Sequence, residues 1–231
     1  MPTSLSFAEA AALPLAAQTA LLALDKAGVA RGSRVCVIGA SGGVGVFAVQ
    51  IARALGAAYV VGVCSTRNRS FVQSLGAHDT IDYTAHRLGD VITDRSLDVV
   101  IDCVGGREQW LQAREVLAPG GRFVTISRDE DGEVTLPAAA RLVRGVVLRK
   151  VMSRFGRRIR YIPVFLHASH ALLDRVDVMV EAGMIQIPVT SRYGLGLDGI
   201  LAAIHESKTG RAVGKLVLQG APAEPGDPVS N

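Results

Sequence analysis

Four glycines fall within seven residues in the stretch VIGASGGVGVFAVQ, residues 37–50. A short apolar segment enters this loop and a helix-like run leaves it. Glycine permits tight turns with positive φ and lets backbone N–H groups approach a ligand closely. The N-terminus of the following helix adds unsatisfied N–H groups and the positive end of a dipole. Together they suit a pyrophosphate. Two frames fit, Ala40-x-Gly42-x-x-Gly45 and Gly43-x-Gly45-x-x-Ala48, and the sequence leaves both open. A glycine-rich turn without a ligand is the alternative. The alternation of strands and helices that follows favours the site.

A dinucleotide site for NAD usually carries an acidic residue about 20 positions further on. Here that place reads Cys64-Ser65-Thr66-Arg67-Asn68-Arg69, with no carboxylate. A carboxylate would repel a 2′-phosphate, whereas Ser65 and Arg67 can bind one through charge-assisted hydrogen bonds. The pattern favours NADPH over NADH. The same residues could instead cap and solvate the next helix.

Other chemistry has weaker support. His167 and His170 have the i, i+3 spacing of metal ligands, but no cysteine or carboxylate cluster joins them. No GxSxG nucleophile elbow is present. Eight cations between Arg141 and Arg160 are uninterrupted by an acid. With Phe155 alone interleaved and no nucleic-acid module, they read as a solvated face or the rim of the anionic cofactor cleft, not a nucleic-acid surface.

The elements that must position these residues alternate regularly. Strand-like segments at 34–39, 58–64, 79–83, 97–104 and 121–127 are separated by helical ones at 43–57, 67–77, 85–94 and 107–117. A helix over 7–28, kinked or broken at Pro14, leads in. Apolar β-branched runs between helices indicate parallel strands buried on both faces, hence an α/β, doubly wound parallel sheet. Further on, 128–135 reads as an exposed turn and 136–152 as helix. Residues 157–166 read as an edge strand because of Pro163. Residues 169–183 form a helix closed by Gly183. Residues 185–195 are extended, 197–207 helical and 214–219 a strand. The Pro/Gly-rich tail over 220–231 reads as disordered.

At 231 residues, 49% hydrophobic and 20% charged, the chain has ample material for a core. No apolar run reaches the roughly 18 residues of a membrane span, and the first residues read as helix, not as a signal peptide. The three cysteines, Cys36, Cys64 and Cys103, are dispersed among predicted strands, which suggests a reduced compartment and no zinc site. The cytoplasm is the expected location, with no membrane partner. The net charge of +4 is mild.

The motifs GASGGVGVFAVQIARALGA, VCSTRN, SLGAHDTIDY, DVVIDCVGG, LAPGGRFVTI and GRAVGKLVL occur in that order. Together they resemble the medium-chain dehydrogenase/reductase superfamily, in its zinc-independent quinone oxidoreductase (zeta-crystallin-like) branch. The resemblance covers about residues 5–219. It implies a Rossmann domain over 5–184 and, over 185–219, a segment that belongs with a catalytic domain. It also implies NADPH as cofactor and reduction of quinones or α,β-unsaturated carbonyls. Carried onto this chain, it puts Gly42, Gly43, Val44 and Gly45 at the pyrophosphate. Ser65, Arg67 and Tyr83 fall around the 2′-phosphate. Cys103, Val104 and Gly105 lie near the nicotinamide ribose, with Thr125, Ile126 and Ser127 at the next strand end. Tyr161 and Pro163 border the nicotinamide, and Gly214 and Lys215 return to the cofactor. No catalytic residue is implied.

Members of that family also carry a GroES-like domain that would precede residue 5. Without it, Ile185, Ile187, Val189, Leu216 and Leu218 are expected to be exposed unless a partner covers them. The edge strand near 157–166 makes a homodimer plausible.

Overall fold

The computed structural model describes residues 5–127, 159–167 and 169–220. The expected turn at 128–135, the helix over 136–152, most of the basic run and the tail from 221 lie outside the described residues.

Helix α1 (Phe7–Ala27) opens at a capping box in which Ser6 and Glu9 satisfy each other's backbone N–H groups. It runs unbroken through Pro14, so the expected break is absent. Its length and apolar composition match a membrane span, contrary to the sequence expectation. The helix is nevertheless largely core: Leu21 and Leu24 are fully buried.

Then β1 (Arg34–Ile38), α2 (Gly45–Ala54), β2 (Tyr59–Cys64), α3 (Arg69–Ser74), β3 (Asp79–Asp82), α4 (Leu88–Val91), β4 (Leu97–Asp102), α5 (Arg107–Val116) and β5 (Leu117–Thr125) follow. β6 (Arg160–Pro163) completes a six-stranded sheet in the order β3-β2-β1-β4-β5-β6, every pair parallel. The chain reverses direction across the sheet between β1 and β4. In a doubly wound fold the crevice for a ligand opens at that switch point. Among the described residues β6 is the sheet's edge, as Pro163 suggested.

One face of the sheet packs on α1, α2 and α6 (His170–Glu181) around Phe47, Leu21 and Val176. The other packs on α5 around Trp110, Phe123 and Leu117. The expected helix over 85–94 shrinks to α4, because Ala85 and His86 donate their N–H groups to the Asp82 carbonyl in a tight turn.

The remaining elements are β7 (Val189–Gly194), α7 (Leu197–Lys208) and β8 (Lys215–Gln219), with β7 and β8 forming a parallel pair. This segment does not stand apart. Val217 packs on Ala8 and Ala12 of α1, with Ile187 and Val189 beside them. Gln50, itself 4% exposed, receives the Gln186 N–H at 2.7 Å and donates to the Gln186 carbonyl at 3.0 Å. The expected exposure is therefore corrected: Ile185 is buried in the main core, Ile187, Val189 and Leu216 are half-buried, and Leu218 is exposed.

Candidate functional site

A cavity of about 830 Å³ opens at the carboxyl ends of β1, β2, β3 and β4. Its size lies in the usual range for cofactor sites. The floor is the loop after β1. Gly39, at φ 75°, turns the chain sharply, and a Cβ there would meet the Val104 side chain at 2.9 Å. Gly42, Gly43 and Val44 line the cavity. Gly45 does not. A Cβ on it would lie 2.1 Å from the Gly39 carbonyl oxygen, so its role is to let α2 pack hard against the loop. No side chain caps α2, and no acid stands in its first turn. Its N-terminal end is therefore left for an anion.

The end of β2 supplies Ser65 and Arg67, both on the cavity wall. Arg67 donates to the Arg211 carbonyl at 3.5 Å. Arg211 also lines the cavity, a contribution the sequence reading missed. Asn68 is a second such residue. Its amide donates to the Ser41 hydroxyl at 3.1 Å and so binds the end of β2 to the glycine loop. Lys215 reaches in from β8. A Cβ on Gly43 would lie 3.7 Å from the Lys215 Nζ. Burial lowers the Lys215 pKa, since a desolvated ammonium is disfavoured.

Two carboxylates stand at strand ends. Asp82 closes β3 and accepts from the Thr66 hydroxyl, and from the Thr84 N–H and hydroxyl at 2.8 and 2.7 Å. These donors, Thr66 first, hold its pKa down at about 2. The next residue, Tyr83, lines the cavity and is 63% exposed. Asp102 closes β4 and is 1% exposed. It accepts from the Val104 and Gly105 N–H groups at 3.0 and 2.9 Å and from the Thr125 hydroxyl at 2.9 Å. Cys103 and Val104 line the cavity. Desolvation, with the Asp102 charge second, pushes the Cys103 thiol pKa up and that of Cys36 up to about 12.

Nine expected residues thus line one cavity: Gly42, Gly43, Val44, Ser65, Arg67, Tyr83, Cys103, Val104 and Lys215. Others stand behind the wall. Gly105 and Thr125 are tied to Asp102. Ser127 donates to the Val104 carbonyl at 2.8 Å, and Ile126 packs on the core. Gly214 donates its N–H to the Ser41 carbonyl. Tyr161 is a correction. It is 4% exposed and packs edge-on to Trp110 and stacked on Phe123, with ring centroids 5.3 and 5.6 Å away. Strand alternation turns it into the α5-side core instead of the cavity.

The family model for zinc-binding dehydrogenases matches residues 75–218. The chain belongs to this family, within the medium-chain dehydrogenase/reductase superfamily. It is 34% identical to 2-methylene-furan-3-one reductase of Solanum lycopersicum over 96% of this chain and 49% of that protein. It is 33% identical to the mitochondrial NAD(P)H oxidoreductase RTN4IP1 of Bos taurus, over 94% of this chain and 57% of that protein. The quinone oxidoreductase of Coxiella burnetii superposes with a TM-score of 0.77 at 28% identity, over 94% of this chain and 62% of that one. The chain thus spans about half the length of the curated relatives it matches. The family's description names zinc. Among the described residues, no three His, Cys, Asp or Glu side chains converge as a metal site.

Proposed function

We propose that this chain binds NADPH across the glycine loop and forms the dinucleotide-binding part of a zinc-independent reductase of quinones or α,β-unsaturated carbonyls. The observation that carries this reading is one cavity in which the glycine loop, Ser65 and Arg67 meet, with no carboxylate at the end of β2. A furanone reductase and a quinone oxidoreductase among the similar proteins support the reaction class.

In this reading Gly42, Gly43 and Val44 receive the pyrophosphate, with Lys215 as counter-charge. Ser65, Arg67 and Tyr83 surround the 2′-phosphate. Cys103 and Val104 flank the nicotinamide ribose, backed by Gly105, Thr125, Ile126 and Ser127. Bound NADPH supplies a hydride for an electrophilic carbon of the acceptor. The chain's own residues bind and orient the cofactor and exclude water. Leu15 and Val104 are 70% and 53% exposed, and both line the cavity. They offer a flat apolar acceptor a surface. Residues 5–184 act as the dinucleotide-binding unit, and 185–219 complete its wall. The edge strand β6 is the surface on which two copies would pair.

A second reading is a cofactor-binding module that needs a partner polypeptide for turnover. Fluorescence titration with NADPH and NADH, followed by addition of a quinone or an enone, separates the readings. The proposal expects NADPH to bind at least about tenfold more tightly than NADH, and Arg67→Ala to remove that preference. Equal binding of the two cofactors would sink the NADPH assignment. Selective binding without consumption of NADPH would select the second reading.

A further inference from the structure

The carboxylates of Asp82 and Asp102 occupy equivalent places in the sheet. Asp82 is the last residue of β3, in register with Cys64 of β2. Asp102 is the last residue of β4, in register with Ile38 of β1. They therefore flank the glycine loop, one on each side of the switch point. Each is buried, at 7% and 1% exposed. Each spends one oxygen on the turn that follows it and the other on a threonine near the end of a neighbouring strand.

At Asp82 one oxygen takes the Thr84 N–H and hydroxyl, and the other takes the Thr66 hydroxyl. The Asp82 backbone carbonyl takes Ala85 and His86 N–H at 3.2 and 2.9 Å. This fixes the turn that presents Tyr83, and joins it to the 3₁₀ turn Thr66–Asn68 that carries Arg67. At Asp102 one oxygen takes two successive backbone N–H groups, those of Val104 and Gly105, and the other takes Thr125. The Asp102 backbone carbonyl takes the Ile126 N–H at 3.1 Å. This fixes the turn that presents Cys103 and Val104, and joins it to the end of β5. Neither carboxylate lines the cavity.

We propose that Asp82 and Asp102 are separate positioning residues for opposite halves of the dinucleotide. Asp82 sets the loops that receive the adenosine 2′-phosphate, and Asp102 sets the loop beside the nicotinamide. The assignment of halves rests on the NADPH reading above. The coupling of each carboxylate to one loop does not. An ionised carboxylate gathering several N–H and O–H donors is a strong, directional clamp. Removing it takes the acceptor from those donors, and the turn relaxes to find others.

The test uses two probes on the full chain. 2′,5′-ADP reports the adenosine half alone. NADPH reports both halves, and its nicotinamide emission at saturation reports the second. In Asp82→Ala, affinity for 2′,5′-ADP is expected to fall about tenfold, with the emission of saturated NADPH unchanged. In Asp102→Ala, 2′,5′-ADP is expected to bind within about twofold of wild type, while NADPH affinity falls about tenfold and the emission changes. Asparagine keeps an oxygen for the paired donors, and the facing threonine hydroxyl can accept from its NH₂. Asp82→Asn and Asp102→Asn should therefore recover most of each loss.

Should an alanine variant fail to fold, Thr84→Val and Thr125→Val remove one donor from each clamp and must show the same split in smaller measure. Equal loss on both probes from Asp102→Ala, a changed emission of saturated NADPH in Asp82→Ala, or no loss from either aspartate, overturns the proposal. Wild-type protein that binds neither probe overturns the NADPH reading as well. Wild type that binds both probes, with variants that show no split, removes this proposal alone.

Discussion

Gly214 donates its backbone N–H to the Ser41 carbonyl at 2.8 Å, and this bond fastens the carboxyl-terminal segment to the glycine loop. Ser41 also accepts from Asn68 through its hydroxyl. One residue of the loop thereby gathers the end of β2 and the start of β8. The cavity wall is assembled from three stretches distant in sequence, and Lys215 is carried into it by the same junction.

Two glycines of the loop should respond differently to alanine. A Cβ on Gly45 would meet the Gly39 carbonyl at 2.1 Å and the Ala40 Cα at 2.8 Å, both backbone atoms. Backbone cannot swing aside as a side chain can, so Gly45→Ala is expected to cost about 1–3 kcal/mol or more in unfolding free energy. At Gly43 the nearest atom would be 3.5 Å away. Gly43→Ala should leave the urea midpoint of the ligand-free protein unchanged and weaken NADPH, because the methyl stands where the phosphate approaches. A shared drop in stability would contradict the contrast.

Lys215 should trade stability for binding. Burial lowers its pKa in the folded chain. The unfolded chain then holds the proton more tightly, so the charged lysine costs folding energy below the lowered pKa. Stability of the ligand-free protein rises with pH through the window between that pKa and the ordinary lysine value. Lys215→Met removes the buried charge and keeps the stem. Its thermal midpoint at neutral pH should exceed wild type, with the high-pH rise gone, and NADPH should bind about tenfold more weakly. Unchanged NADPH affinity would remove Lys215 from the pyrophosphate site.

The sheet was legible because each buried parallel strand is a compact apolar run, such as RVCVI and LDVVID, bounded by glycine or polar turns. The glycine loop and the end of β2 were legible for a chemical reason: residue type alone distinguishes Ser65 and Arg67 from a carboxylate. Tyr161 was misplaced because a strand gives no sign of which face its aromatic residue takes until its neighbours Trp110 and Phe123 are in place. The packing of residues 185–219 was misread for a similar reason. Ala8 and Ala12 are too small to announce a docking surface, yet they let Val217 lie close against α1. Arg211 sits in a tight, glycine-flanked turn with no local signal of function, and only the pairing of β7 with β8 brings it to Arg67.

The cysteines should be poor nucleophiles. Cys36 is fully buried and Cys64 is 2% exposed. Desolvation raises the Cys64 thiol to about 11, with the Asp82 charge adding to it. At pH 8 a thiol with that pKa is ionised about one part in a thousand, and the thiolate is the reactive form. Ellman titration of the native protein at pH 8 should be slow at all three thiols, and complete within the mixing time in denaturant. A fast native phase of one equivalent would place an activated thiol in the cavity and revise the reading of Cys103.

Tyr161 gives the sharpest division between core and site. Its ring completes a cluster with Trp110 and Phe123, 84° to the first and 21° to the second. Removing a buried aromatic leaves a cavity that the rigid sheet and α5 can only partly close, at a cost of about 3–5 kcal/mol. Tyr161→Ala should therefore lower the thermal midpoint strongly, while the fraction that stays folded at low temperature binds NADPH with wild-type affinity. Tyr161→Phe keeps the ring and should retain most of the stability. The opposite pattern, a stable Tyr161→Ala that has lost NADPH, would return this residue to the nicotinamide side and require β6 to sit with its faces reversed.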